Sequence, residues 1–132
     1  DKAEAIAQAV NAHFNNDKVI PMNIADYADI PGEDYVVIQT TSVGLHPNDE
    51  AVVIDDEAFY KKAAVGVDII YNPAETMFMK LIKAQGKKAY NGLKMLLYQG
   101  VSAYELWNDC KISKKEADEV YKCLEKELGI NE

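Results

Sequence analysis

Apolar residues recur along this chain with two alternating periods, one helical and one extended. Ala3, Ile6, Val10 and Phe14 fall at steps of three and four, which predicts a helix over 2–14 ending at Asn15-Asn16-Asp17. Val19-Ile20-Pro21-Met22 reads as a short extended segment, and Pro21, with no backbone donor, makes it an edge strand or a poor one. Residues 27–34 are largely polar and contain the turn Pro31-Gly32. Tyr35-Val36-Val37-Ile38-Gln39-Thr40 is a continuous run, the pattern of a strand buried on both faces of a parallel sheet. A loop through Thr41-Ser42-Val43-Gly44-Leu45 and His46-Pro47-Asn48-Asp49 leaves it.

The same alternation continues to the end of the chain. A short helix is predicted over 56–64 with Phe59 and Ala63 inward, then a strand over 66–70 stopped by Tyr71-Asn72-Pro73. A helix over 76–85 buries Phe78, Leu81 and Ile82 and is closed by Gly86. Lys88-Ala89-Tyr90 forms a last short strand, turned at Asn91-Gly92. The longest helix, over 93–107, carries Leu93, Leu96, Leu97, Gly100, Tyr104 and Trp107 on one stripe, with Trp107 expected to plug the helix end. Ser113-Lys114-Lys115-Glu116 is a capping box opening a final helix, with Ala117, Val120, Tyr121, Leu124 and Leu128 inward and Gly129 closing it. Strands alternating with helices predict an α/β fold around a parallel sheet, in a three-layer Rossmann-like arrangement.

Composition narrows the function classes. The 132 residues suit one small domain, and the net charge of −8 with no arginine argues against nucleic acid and against a bidentate phosphate clamp within the chain. No apolar run reaches the length of a bilayer span, so no membrane role is expected. Cys110 and Cys123 show no metal-ligand or disulfide spacing and read as free thiols, consistent with a cytoplasmic protein. The opening Asp1-Lys2-Ala3-Glu4 reads as helix interior, so a longer parent chain is expected.

In a doubly wound sheet, ligands bind beyond the carboxyl ends of the strands. Here that edge carries residues 40–45, 71–73 and 91–92, all small or hydrogen-bonding in character. Met95 and Gln99 lie four apart on a face of the long helix that begins at the same edge, and a glutamine there offers a donor and an acceptor to a polyhydroxylated ligand. Gly92 would allow close backbone approach to such a ligand. His13 and His46 have no carboxylate or thiol at ligand or triad spacing and read as surface or capping residues; Met77 and Met79 read as core or surface fill.

These residues also carry a family resemblance. Thr41-Ser42-Val43-Gly44-Leu45, Tyr71-Asn72-Pro73 followed by Thr76, Asn91-Gly92-Leu93-Lys94-Met95-Leu96, and Gln99-Gly100 with Glu105-Leu106-Trp107 stand in the order found in shikimate dehydrogenases. The resemblance implies NADP-dependent reversible reduction of 3-dehydroshikimate to shikimate, in aromatic amino acid biosynthesis, with NAD as the alternative cofactor and quinate as the alternative substrate. It implies that Tyr71 and Gln99 contact the substrate ring, and that Ile69, Gly92 and Met95 line the nicotinamide end of the cofactor. Thr41, Ser42 and Val43 would pass under the dinucleotide. One departure is plain: Gln39-Thr40 stands where the family usually has Asn-Ala.

What the chain lacks matters equally. The family's Lys and Asp pair, its Ser-x-Ser substrate clamp and a G-x-G-x-x-G phosphate turn have no counterpart here. Residues 1–132 therefore read as an incomplete C-terminal nucleotide-binding domain without the first two strands or the catalytic domain, with 93–128 as its C-terminal helices, inactive alone. The rival reading is a non-catalytic nucleotide- or metabolite-binding module derived from a dehydrogenase. In the strand order 3-2-1-4-5-6 the Val19 segment would be strand 3 and the Tyr35 segment strand 4, which leaves a gap or a bare edge through which a homodimer could form.

Overall fold

The computed structural model describes residues 2–130, so Asp1 of the opening Asp1-Lys2-Ala3-Glu4 lies outside the described residues. The chain divides into two compact units, Asp1–Gly32 and Glu33–Glu132.

In the first unit, helix α1 spans Lys2–Phe14, as its period predicts, and Asn15 turns out of it at φ 48°. Only Ala7 of this helix is buried, while Ile6 and Phe14 are exposed. The segment 19–22 is not a strand. The Asn11 carboxamide satisfies both polar groups of Val19, accepting from its N–H at 3.0 Å and donating to its carbonyl at 2.8 Å. With Val19 already partnered and Pro21 lacking a donor, the segment has few groups with which to start a ladder. A 3-10 helix, Ile24–Asp29, follows where polarity suggested a loop; the Asn23 side chain caps it by accepting from Ala25 N–H.

The second unit is a parallel sheet of β1 (Tyr35–Gln39), β2 (Ala63–Asp68) and β3 (Lys88–Tyr90), in the order β1-β2-β3. Three strands taken consecutively are what the back half of a doubly wound sheet requires. Helix α2 (Glu57–Lys61) is shorter than expected because Lys62 caps it, and the chain enters β2 already at Ala63. β2 ends at Asp68 rather than Ile70, because the Asp68 carboxyl takes the Ile70 N–H and turns the backbone out of the ladder.

Register decides which face is covered. Val37 pairs with Gly66 and Gln39 with Asp68, placing these four on the face where α3 (Met77–Ala84) packs. Gly66 is required there: a Cβ would stand 2.9 Å from Ile82 Cγ1 and 3.2 Å from Phe78 Cε1. Tyr60, Ala63, Phe78, Met79 and Ile82 form the buried core around it. The opposite face of β1 is open, with Val36 62% and Ile38 58% exposed, so this strand is not buried on both faces among the described residues.

Helix α4 spans Leu93–Asn108 and α5 spans Lys114–Glu127, the latter opened by the expected capping box between Ser113 and Glu116. Leu93 and Leu97 are buried, but Trp107 is 81% exposed and plugs nothing among the described residues. Leu96 is half-buried, whereas Gly100 and Tyr104 of the same stripe are exposed with Trp107. Between α4 and α5 lies an apolar groove of about 490 Å³ walled by Leu96, Tyr104, Val120 and Leu124. Both cysteines are free, and among the described residues no cluster could hold a metal ion and no helix is long and apolar enough to cross a membrane.

Candidate functional site

The loops at the carboxyl ends of β1 and β2 meet at one buried polar group, and the loop after β3 is tied to the second of them. Asp68, the last residue of β2, is fully buried, and Gln39 and Thr76 beside it are 7% and 1% exposed. Asp68 Oδ1 accepts from Ile70 N–H at 3.0 Å and faces Gln39 Nε2 at 3.4 Å, while Oδ2 accepts from the Thr76 hydroxyl at 2.6 Å. Thr76 in turn caps α3 by accepting from Met79 N–H. Buried polar atoms are stable only when partnered, and here each partner comes from a different segment.

Gln39 carries the network into the first loop. Its Oε1 accepts from Thr41 N–H, and its Nε2 donates to the Val43 carbonyl at 3.1 Å. The Thr41 hydroxyl then accepts from Val43 N–H, and Leu45 N–H closes a turn on the Ser42 carbonyl. Thr41 and Ser42 keep exposed side chains, and Val43 is half-buried. The residue that departs from the family pattern is thus the one that shapes the Thr41–Val43 loop.

The third loop is fixed on the second. Gly92 N–H donates to the Ile70 carbonyl at 3.0 Å, and the Asn91 carboxamide bridges the Ala74 carbonyl and Leu93 N–H. A Cβ on Gly92 would overlap the Ile69 carbonyl group. Close approach at Gly92 is made by the Ile69 peptide, so the fold itself requires glycine at this position.

Hydrogen bonds and contact thus bring Thr41, Val43, Ile69 and Gly92 into one assembly. Tyr71, 38% exposed, leaves it three residues beyond Asp68 and precedes a cis Asn72-Pro73 peptide. Met95, 54% exposed, and the exposed Gln99 occupy one face of α4 from its first turns. The His46 ring, read as lacking a carboxylate at ligand spacing, stands 3.3 Å from Asp49 three residues on, on an exposed loop. Sequence reasoning passed over Asp68 and did not join it to Gln39 and Thr76. The signal was present, as one charged residue in an otherwise apolar strand.

Comparison with known proteins places this arrangement. The model of the shikimate 5'-dehydrogenase C-terminal domain matches residues 92–119. A shikimate dehydrogenase (NADP(+)) of Clostridium perfringens is 39% identical over 113 residues, covering 84% of this chain and 41% of that protein. The corresponding protein of Methanococcus maripaludis is 36% identical, covering 84% of this chain and 39% of its own length. The crystal structure of shikimate dehydrogenase 1 from Peptoclostridium difficile superposes with a TM-score of 0.74 at 31% identity, over 84% of this chain and 41% of that one. The chain thus spans about two fifths of the length of these relatives. Fold and strand-end site define a Rossmann-like α/β unit of the dehydrogenase class. The chain belongs to the shikimate dehydrogenase family, of which it represents a part.

Proposed function

We propose that this chain forms the nicotinamide and ring-binding side of an NADP-dependent shikimate dehydrogenase, an oxidoreductase that interconverts 3-dehydroshikimate and shikimate. The observation that carries the proposal is the joining of the β1 and β2 exits and the start of α3 on Asp68, with the turn after β3 seated on the β2 exit through Gly92 N–H and the Ile70 carbonyl, at the sheet edge where such folds bind dinucleotides. The names of the relatives supply the substrate and the cofactor.

The residues suit the nicotinamide end of the cofactor. The Thr41–Val43 loop presents exposed hydroxyls along the strand ends, and the half-buried Ile69 and exposed Met95, with the buried Gly92 seating the turn on Ile69, provide a mostly apolar surface against which a flat ring can lie. Bound NADPH would supply the hydride for the substrate carbonyl. Tyr71 and Gln99 hold the hydroxylated ring in the attacking orientation through their hydroxyl and carboxamide. Proton donation and pyrophosphate binding are assigned to protein outside this stretch, since the chain contains no arginine and no Gly-rich phosphate turn. The reading extends to a cytoplasmic enzyme, and the open side of β1 is where a second copy would pair if the protein dimerises; sedimentation of the full-length protein tests that pairing.

The deciding experiment is kinetic. In the full-length protein, Gln99→Ala raises KM for shikimate about tenfold, the loss of roughly one or two hydrogen bonds, with a smaller change in kcat. Unaltered kinetics would remove Gln99 from the site. Absence of any shikimate-dependent NADP reduction by the full-length protein would favour a non-catalytic metabolite-binding module.

A further inference from the structure

We infer that Asp68 is a positioning residue, whose buried carboxyl locks the loops after β1 and β2 into the one arrangement that receives the dinucleotide. The inference rests on the reading of the site given above. Its structural basis is the distribution of the partners. Ile70 N–H belongs to the exit of β2, the Gln39 carboxamide to the end of β1, and the Thr76 hydroxyl to the start of α3. A leucine would fill the same interior position without the cost of burying a polar group. Only an acceptor with two oxygens can collect donors from three segments at once.

The link to the site runs through Gln39. Its Oε1 and Nε2 grip Thr41 N–H and the Val43 carbonyl, so fixing the Gln39 carboxamide fixes the loop. On the other side, the Ile70 N–H bond sets the turn that carries Ile69 and Tyr71 and, through the Ile70 carbonyl, the Gly92 N–H. Asp68 is completely buried, so it reaches ligand only through these neighbours.

Three variants of the full-length protein test this, read by amide hydrogen exchange and by NADPH titration. Asp68→Leu removes every acceptor; exchange at Ile70, Thr41 and Val43 rises about tenfold or more relative to Val67 inside β2, and NADPH affinity falls about tenfold. Asp68→Asn retains the oxygen facing Ile70 and Gln39 and places its amide against Thr76, whose oxygen can accept; both readouts return to within about threefold of wild type. Gln39→Met keeps the side-chain length but cuts the link, so exchange rises at Thr41 and Val43 and stays unchanged at Ile70. If Asp68→Leu does not fold, Gln39→Met and Asp68→Asn still decide the matter. The inference is overturned if Thr41 and Val43 exchange as in wild type in the Gln39→Met protein. It is equally overturned if NADPH affinity is unaffected by loops that exchange faster. A wild-type protein that binds no NADPH, yet shows the exchange pattern, overturns the reading of the site and leaves the clamp itself standing.

Discussion

Gly92 and Ile69 are in backbone contact: the space a Cβ would occupy on Gly92 is filled by the Ile69 carbonyl. The turn after β3 is thereby seated directly on the exit of β2, and the Gly92 N–H bond to the Ile70 carbonyl completes the junction. Gly92→Ala must push two backbones apart. It is expected to destabilise the protein by about 3 kcal/mol, the upper range for overpacking a closed site. Denaturant unfolding measures this, and a loss below about 0.5 kcal/mol, the ordinary scatter for surface changes, would mean that the junction yields freely.

Gly100 makes the opposite case. It lies inside α4, its φ is not positive, and an added Cβ would meet nothing within 4 Å. Glycine in a helix interior costs about 0.5–1 kcal/mol relative to alanine, because the unfolded chain has more freedom to lose. Gly100→Ala therefore raises stability by about that amount in the same unfolding measurement. Destabilisation would indicate that the groove between α4 and α5 closes tightly on Gly100 in solution.

The contrast between these glycines shows what the sequence could and could not disclose. Periodicity and end signals located α1, β3 and the Ser113 capping box at their observed positions, because helix and cap rules act over a few neighbouring residues. The same rules state which residues share a face and say nothing of whether that face is covered. Val36, Ile38 and Trp107 were expected inside and are exposed for that reason. Tyr60, fully buried, and the Asp68 network escaped notice because both depend on contacts between segments distant in sequence. At the candidate site, the motif located Gly92 but not the Ile69 peptide that occupies its missing side chain.

Tyr60 combines burial with one directed bond, its hydroxyl donating to the Ile54 carbonyl at 2.6 Å. Burial, reinforced by the charge of Asp55, pushes its ionisation up to about 12 from 10.0. A group with a raised folded value contributes stability that is intact below pH 10.0 and is lost as pH rises through about 12, because the unfolded chain releases its proton first. Tyr60→Phe should cost about 1 kcal/mol at neutral pH through the lost hydrogen bond. It should also remove this alkaline fall, so that wild-type and variant stabilities converge as pH rises above 10.0. Parallel stability curves across that window would show that Tyr60 ionises as it does in water.

At the start of α5 the linkage has the opposite sign. The Ser113 hydroxyl and then the Ser113 N–H donate to Glu116 Oε2, at 2.7 and 2.8 Å, and hold its carboxyl below the ordinary 4.5. Ser113 Oγ accepts from Glu116 N–H in return, so two otherwise unpartnered donors at the helix start are satisfied reciprocally. A lowered folded value gives stability that is complete above 4.5 and is lost as pH falls through the depressed value, where the protonated carboxyl accepts less well. Protection of the amides in the first turn of α5, taken relative to intrinsic exchange at each pH, should therefore be high at neutral pH and fall in acid before that of the sheet amides. Ser113→Ala removes the stronger donor, and a carboxyl titration followed by NMR should then move Glu116 back towards 4.5. If Glu116 titrates identically in wild type and Ser113→Ala, the capping box is not formed in solution, and α5 must be held by Ala117, Leu124 and its packing on α4 alone.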